Sequence, residues 1–248
     1  MGAFFKKFGE LNGNGLKFLA AAFMLVDHIG YMFFPQVQIL RIIGRLSFPL
    51  FAFALSEGCR YTKNKLRHFL LIFGLAALCQ IVYYFFDNGN LYMSVLVTFS
   101  LSVLTIYALQ FCKQSLCDER ADGLDKGLAV TLFAATILCD YALCQVFVID
   151  YGFWGIMLPV FASLFDFRGI PAPKLLKKLD DLLLRVGALA VGIILLALSF
   201  GGIEYYAVFA LPILALYNGE KGKWNTKYFF YIFYPAHLVI LQGILMLL

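Results

Sequence analysis

Residues 16–35 read LKFLAAAFMLVDHIGYMFFP, an apolar run long enough to cross a bilayer as a helix, yet with an aspartate and a histidine inside it. At about 1.5 Å per residue, such a run spans the hydrocarbon core. Comparable runs recur near 39–57, 68–86, 91–111, 128–148, 152–165, 183–200, 203–217 and 228–247, and the first, near 16–34, makes nine. Hydrophobic residues form 62% of the 248-residue chain and charged residues only 14%, too little polar material to clothe a soluble globule. Unpaired backbone groups are costly in lipid, so each run is expected to be a helix; the alternation of a membrane barrel is absent. The expected fold is all-α: a polytopic helical integral membrane protein of about nine transmembrane helices, one transmembrane domain over residues 1–248.

The placement of Lys and Arg orients it. Lys6, Lys7 and Lys17 open the chain; Arg60, Lys63, Lys65 and Arg67 follow the second run, and Lys113, Arg120 and Lys126 the fourth. Arg168, Lys174, Lys177, Lys178 and Arg185 follow the sixth, and Lys221, Lys223 and Lys227 the eighth. The alternate loops hold none, so the positive-inside rule puts the N-terminus in the cytoplasm. Lys6, Lys7 and Lys17 ahead of an apolar run resemble a signal peptide, but the run passes Asp27 and His28 without a convincing cleavage site and is read as a retained helix. The net charge of +5 is then accounted for by insertion and membrane-lipid headgroups, without nucleic acid. RGIPAPKLLKKLDD, 168–181, has the prolines and lysines of a short interfacial helix. No internal repeat of the transporter kind stands out. The six cysteines include no CxxC pair, and no metal site is expected.

Ionisable residues inside spans are costly, so each asks for a partner or a function. Asp27 and His28 lie in the first span, Arg41 and Arg45 in the second, and His237 in the ninth. Counting rise per residue brings His28, His237 and Arg45 to similar depth. Arg41 and Arg45, at i and i+4, share a helix face, and Asp27 is their obvious counter-ion. Either the three form a structural ion pair between helices, or the surplus positive charge serves an anionic ligand or a second acid such as Glu57. Asp27 and His28 are about 100° apart on the helix and form no ready dyad. Lys17 lies on the His28 face, eleven residues and about 16 Å away. That stripe suits both ends of a long ligand, although Lys17 alone also reads as a snorkelling anchor and a buried histidine as a packing group. Pro235 can free the Tyr231 carbonyl, which would let Tyr234, Pro235 and His237 line a cavity. His68 reads as interfacial, and Asp150 as the N-cap of the sixth helix.

Four blocks, LKFLAAAFMLVDHIGYMFFP (16–35), LRIIGRLSFPLFAFALSEGCRYT (40–62), DYGFWGIMLPV (150–160) and FFYIFYPAHLVIL (229–241), make the chain resemble the TraX family, whose namesake acetylates the N-terminus of conjugative pilin. That family is similar in turn to the acyltransferase-3 group, in which a Lys or Arg precedes a catalytic His by ten intervening residues, as Lys17 precedes His28. Arg41 and Arg45 match that group's arginine motif only loosely.

The resemblance implies an acyltransferase with acetyl-CoA as donor substrate, a peptide, glycan or lipid acceptor, and a multi-pass location in the bacterial cytoplasmic (inner) membrane. It further implies that His28 is general base, with His237 as the alternative. Arg45 would stabilise the oxyanion and Asp27 would orient a donor or pair with an arginine. Lys17, Arg41, Arg45 and Tyr234 would face the donor. A neutral imidazole is chemically suited to deprotonate an amine or hydroxyl attacking a thioester. Two other classes remain open: a proton-coupled transporter or channel using Asp27, His28 and Arg45 as a relay, and a non-catalytic assembly partner of a surface structure.

Overall fold

The computed structural model describes residues 11–86, 92–223 and 226–247. Lys6 and Lys7, from the first basic cluster, lie outside them. The described chain is all-helical: α1 Gly13–Met32, α2 Gln38–Gly44, α3 Ser47–Tyr61, α4 Lys65–Phe86, α5 Val95–Cys117, α6 Gly123–Val146, α7 Gly152–Ser163, α8 Lys174–Lys178, α9 Leu182–Phe200, a 3-10 segment Gly202–Phe209, α10 Ala210–Ala215 and α11 Lys227–Leu247. It is a helical membrane protein. Among the described residues, α1, α2 with α3, α5, α6, α9 and α11 are long and apolar enough to cross a bilayer. A count of nine rests in addition on α4, and on α7 and the segment Gly202–Ala215, both shorter.

Local chemistry sets the boundaries. The Asn12 side chain caps α1 by accepting from the Gly15 amide at 2.9 Å, Asp122 caps α6 through Asp125, and Asp181 caps α9 through Leu183. Here α6 begins earlier than the expected 128, because Asp122 and Gly123 start it ahead of its apolar stretch. The second expected helix is broken at Arg45–Leu46. Pro49 lacks the amide that would bond the Arg45 carbonyl and its ring crowds that carbonyl, so the ladder parts there. Pro235, by contrast, sits within a continuous α11. The expected interfacial helix is the short α8.

The core lies between α3, α5, α7 and α9, where Leu50, Phe53, Val103, Ile106, Ile156, Leu158 and Leu189 are fully buried. Large apolar side chains such as Leu124, Leu138, Leu198 and Ile232 face outward instead, as lipid contact requires. Some buried hydroxyls are satisfied within their own helices, Ser100 donating to Leu96 O and Ser163 to Pro159 O, and others reach a neighbouring helix, as Ser47 does to Ala20 O. At the lysine-rich end, Arg60 bridges Asp166 and Asp180, Arg185 pairs with Glu57, and Lys113 donates to the carbonyls of Ser163, Leu164 and Asp166.

Helices α1 and α2 approach closely through glycines. A Cβ on Gly30 would stand 2.7 Å from that of Leu40, and one on Gly44 would collide with the whole Asp27 side chain. Gly44→Ala should therefore separate α1 from α2 at a cost of about 1–3 kcal/mol. The expected readout is a lower midpoint of thermal unfolding in detergent, while Gly74→Ala, within α4 where nothing lies within 4 Å, does not lower it.

Candidate functional site

A cavity of about 1460 Å³, partly open to the outside, runs the length of α1, from Asn14 and Lys17 past Asp27 and His28 to Tyr31, and is bordered by parts of α3, α4, α5 and α11. Its volume exceeds the roughly 300–1,000 Å³ usual for small-ligand pockets. The stripe read from the sequence is real: Lys17 and His28 line this one cavity, as do Arg41, Arg45 and Tyr234.

The two histidines meet. His28 and His237 pack edge to face with ring centroids 5.0 Å apart. His28 Nδ1 lies 2.8 Å from Met24 O, and His237 Nδ1 lies 2.9 Å from Phe233 O. A carbonyl only accepts, so each Nδ1 carries the proton and each Nε2 is the basic nitrogen. The rings differ in access. His28 is half-buried and lines the cavity, whereas His237 is buried behind it, stacked on Phe233, with its Nε2 lacking a hydrogen-bond partner.

The arginines are more committed than their spacing implies. Arg41 Nη1 donates to Asp27 Oδ2 at 2.7 Å, and Arg45 Nη2 donates to both Asp27 oxygens at 2.6 and 2.7 Å. Arg45 Nη1 donates to Glu204 Oε1 at 2.6 Å and reaches the Tyr151 hydroxyl at 3.4 Å. The second acid is thus Glu204 and not Glu57, which sits at the other end on Arg185 and the Tyr217 hydroxyl. The surplus positive charge expected from two arginines and one aspartate is cancelled by Glu204; the terminal nitrogens of Arg45 are committed to these partners, and its Nε is the donor left without one. Glu204 is the only acid in the short eighth run, and that is the signal in the sequence that points to it.

Lys17 is the contrasting case. It lines the cavity and makes no ion pair among the described residues. Its neighbourhood is completed by Lys221, on a loop whose Glu220 and Lys221 carbonyls accept from the Gly13 and Asn14 amides at 2.7 and 3.1 Å. His68, read as interfacial, faces the same cavity and bonds the Tyr107 hydroxyl at 2.7 Å.

Asp150 does not cap α7. The capping position is Tyr151, held at φ 58°, the left-handed region that bulky residues rarely occupy. Its ring stacks on Phe48 at 3.8 Å, and Gly155 is kept without a side chain beside it. Asp150 instead accepts from the Tyr92 hydroxyl at 2.6 Å and lines the cavity. Burial pushes its carboxyl up to about 6, against the pull of the Tyr92 hydrogen bond and the Arg45 charge. Among the described residues, no group of three or more His, Cys, Asp or Glu is placed to hold a metal ion.

Residues 12–245 match the family model described as TraX protein. A probable fimbrial assembly protein, FimC, of Dichelobacter nodosus is 29% identical over 261 residues, covering 91% of this chain and 92% of that protein. An uncharacterized protein of Rickettsia prowazekii (strain Madrid E) is 25% identical over 251 residues, covering 92% of this chain and 90% of its own. No solved structure matches.

Asp27→Ala leaves two guanidiniums with one carboxylate between them. Breaking a buried pair from one side costs about 3–5 kcal/mol, so the variant should unfold at markedly lower temperature. Adding Arg45→Met to it should recover part of the loss; a double variant no more stable than Asp27→Ala would show that the guanidinium is not the strained partner.

Proposed function

The chain belongs to the TraX family, and from that premise we propose that it is an acyltransferase of the bacterial cytoplasmic membrane, moving acetyl from acetyl-CoA to an amine or hydroxyl acceptor. The observation that carries this reading is that Lys17 and His28 line one continuous cavity, the first making no ion pair among the described residues and the second as an imidazole with Nε2 unprotonated. Lys17 and Lys221 suit the phosphates of a nucleotide entering from the lysine-rich end, and the stripe along α1 suits an extended thioester arm. Tyr234 lines the same passage.

The chemistry then needs no more than a positioned base. His28 Nε2 takes the proton as the acceptor nitrogen or oxygen bonds to the thioester carbonyl carbon. The tetrahedral adduct collapses with loss of the C–S bond, and the departing thiolate receives the proton from His28. His237, packed against His28 outside the cavity lining, supports the ring and is the alternative base. Arg45 and Arg41 act by holding Asp27, and through it α1, in register. The relay reading finds less support, because both Asp27 oxygens are engaged by arginines. The name of the Dichelobacter relative favours a pilin-like peptide among the peptide, glycan and lipid acceptors.

Purified protein in nanodiscs, supplied with acetyl-CoA and a soluble amine, should lose about 10²- to 10⁴-fold in turnover on His28→Ala while remaining folded. Lys17→Ala should raise the acetyl-CoA concentration needed for half-maximal rate more than it lowers the maximal rate, since a phosphate contact equal in ground and transition states is uniform binding. Normal turnover by His28→Ala with loss in His237→Ala would move the base to α11. Failure of the wild-type protein to bind acetyl-CoA at millimolar concentration would overturn the reading altogether.

A further inference from the structure

Beside the lysine-rich end of the cavity lies a chamber of about 190 Å³, between the end of α3, the start of α9 and the loop after α10. Glu57, Tyr61, Tyr217 and Gly219 line both spaces, and the Glu57 and Lys221 charges both act on Lys17. The chamber is thus a side pocket of the end where Lys17 stands. It is smaller than the roughly 300–1,000 Å³ of whole small-ligand pockets, and suits one ring system of a larger ligand. Its charges are mostly spent on one another: Arg185 holds Glu57, and Arg60 Nη1 donates to Asp166 Oδ1 and Asp180 Oδ1, each at 2.6 Å. Three hydrogen-bonding positions on its lining residues are left over. Asp181 caps α9 through Oδ1, which among the described residues leaves its Oδ2 as an acceptor. Asn218 Oδ1 accepts from the Glu220 amide at 2.9 Å, and a carboxamide whose oxygen is fixed in this way presents its NH2 as a donor. Arg60 Nε is buried without a partner among the described residues. An N–H hidden from water asks for an acceptor.

A hydrocarbon in this chamber would leave all three positions unmet. A phosphate brings acceptors only, and would meet the Asp181 carboxylate. An uncharged base with an amino donor and ring-nitrogen acceptors answers both donors and the acceptor, and adenine is such a base. We propose that the chamber binds the adenine of the donor nucleotide, its amino group donating to Asp181 and its ring nitrogens accepting from Asn218 and Arg60. The phosphates then lie across the shared wall, at Lys17 and Lys221. The proposal rests on the acyl-transfer reading and extends it from where the thioester lies to how its carrier is recognised. A base held this far from the reacting carbonyl is bound equally in ground and transition states, so it sets donor affinity and leaves the maximal rate alone.

Binding is measured on the full chain in nanodiscs, by thermal stabilisation against ligand concentration. Acetyl-dephospho-CoA, which keeps the adenosine, is compared with acetyl-phosphopantetheine, which ends before it. Wild-type protein should bind the first more tightly by about tenfold. Two conservative variants then locate the base. Asn218→Asp keeps the acceptor for the Glu220 amide and loses the donor; Asp181→Asn keeps the cap of α9 and puts an NH2 where the acceptor stood. Each should weaken acetyl-dephospho-CoA by about three- to tenfold and leave acetyl-phosphopantetheine unchanged. Equal affinity of the wild-type protein for the two donors overturns the proposal without reliance on any variant, and leaves the acyl-transfer reading standing. So do variants that, with an unchanged ligand-free midpoint, weaken both donors alike. Binding of neither donor at millimolar concentration overturns the acyl-transfer reading, and this inference with it.

Discussion

A guanidinium at the depth of Arg45 cannot remain in the fold without compensating charge, and much of the architecture around the cavity follows from supplying it. Arg45 is 7% exposed and is held by Asp27 on α1 and by Glu204 on the 3-10 segment. Three stretches distant in sequence are thereby drawn to one point. The break between α2 and α3 at Arg45–Leu46, where Pro49 withholds its amide from the Arg45 carbonyl, lies at that same point. Glycines 30 and 44 then allow α1 and α2 to come close enough for Asp27 to reach both arginines. Losing any one of these features would leave a charge unpaired where water cannot solvate it.

Once Asp27 is turned to the arginines, His28, one residue and about 100° further round α1, is turned elsewhere. It faces the cavity, and it meets His237 of α11. The same helix therefore presents a structural face and a chemical face. At its lower end Phe18 packs on Phe229 and Phe230, with ring centroids 5.1 and 5.2 Å apart, which brings α11 alongside α1. The cavity lies between these two helices and α3, α4 and α5.

The two ends of this space differ in charge for separate reasons. Near Lys17, Glu57 is already taken by Arg185, and among the described residues the lysine makes no ion pair. Near Asp150, both arginines are already paired with Asp27 and Glu204, and among the described residues the aspartate makes no ion pair, though the Arg45 charge still acts on it. A passage positive at one end and negative at the other has a direction.

The helical membrane class, the segregation of lysines to one side and the Lys17–His28 stripe were all legible in the chain, because hydropathy, charge placement and the 3.6-residue period are local or one-dimensional properties. Asp27 as the arginine counter-ion was legible too, since few acids lie at that depth. What the chain could not disclose is which acid completes each cluster. Glu204 and Glu57 are equivalent by charge counting, and only the packing of the 201–209 segment against α2 gives Glu204 to Arg45 and leaves Glu57 for Arg185. The meeting of His28 with His237, the left-handed Tyr151 and the turn of Asp150 from a helix cap to the cavity wall were likewise decided in three dimensions. Pairing between buried charges depends on distances of a few ångströms between helices far apart in sequence, and those distances are set by close packing rather than by the order of residues along the chain.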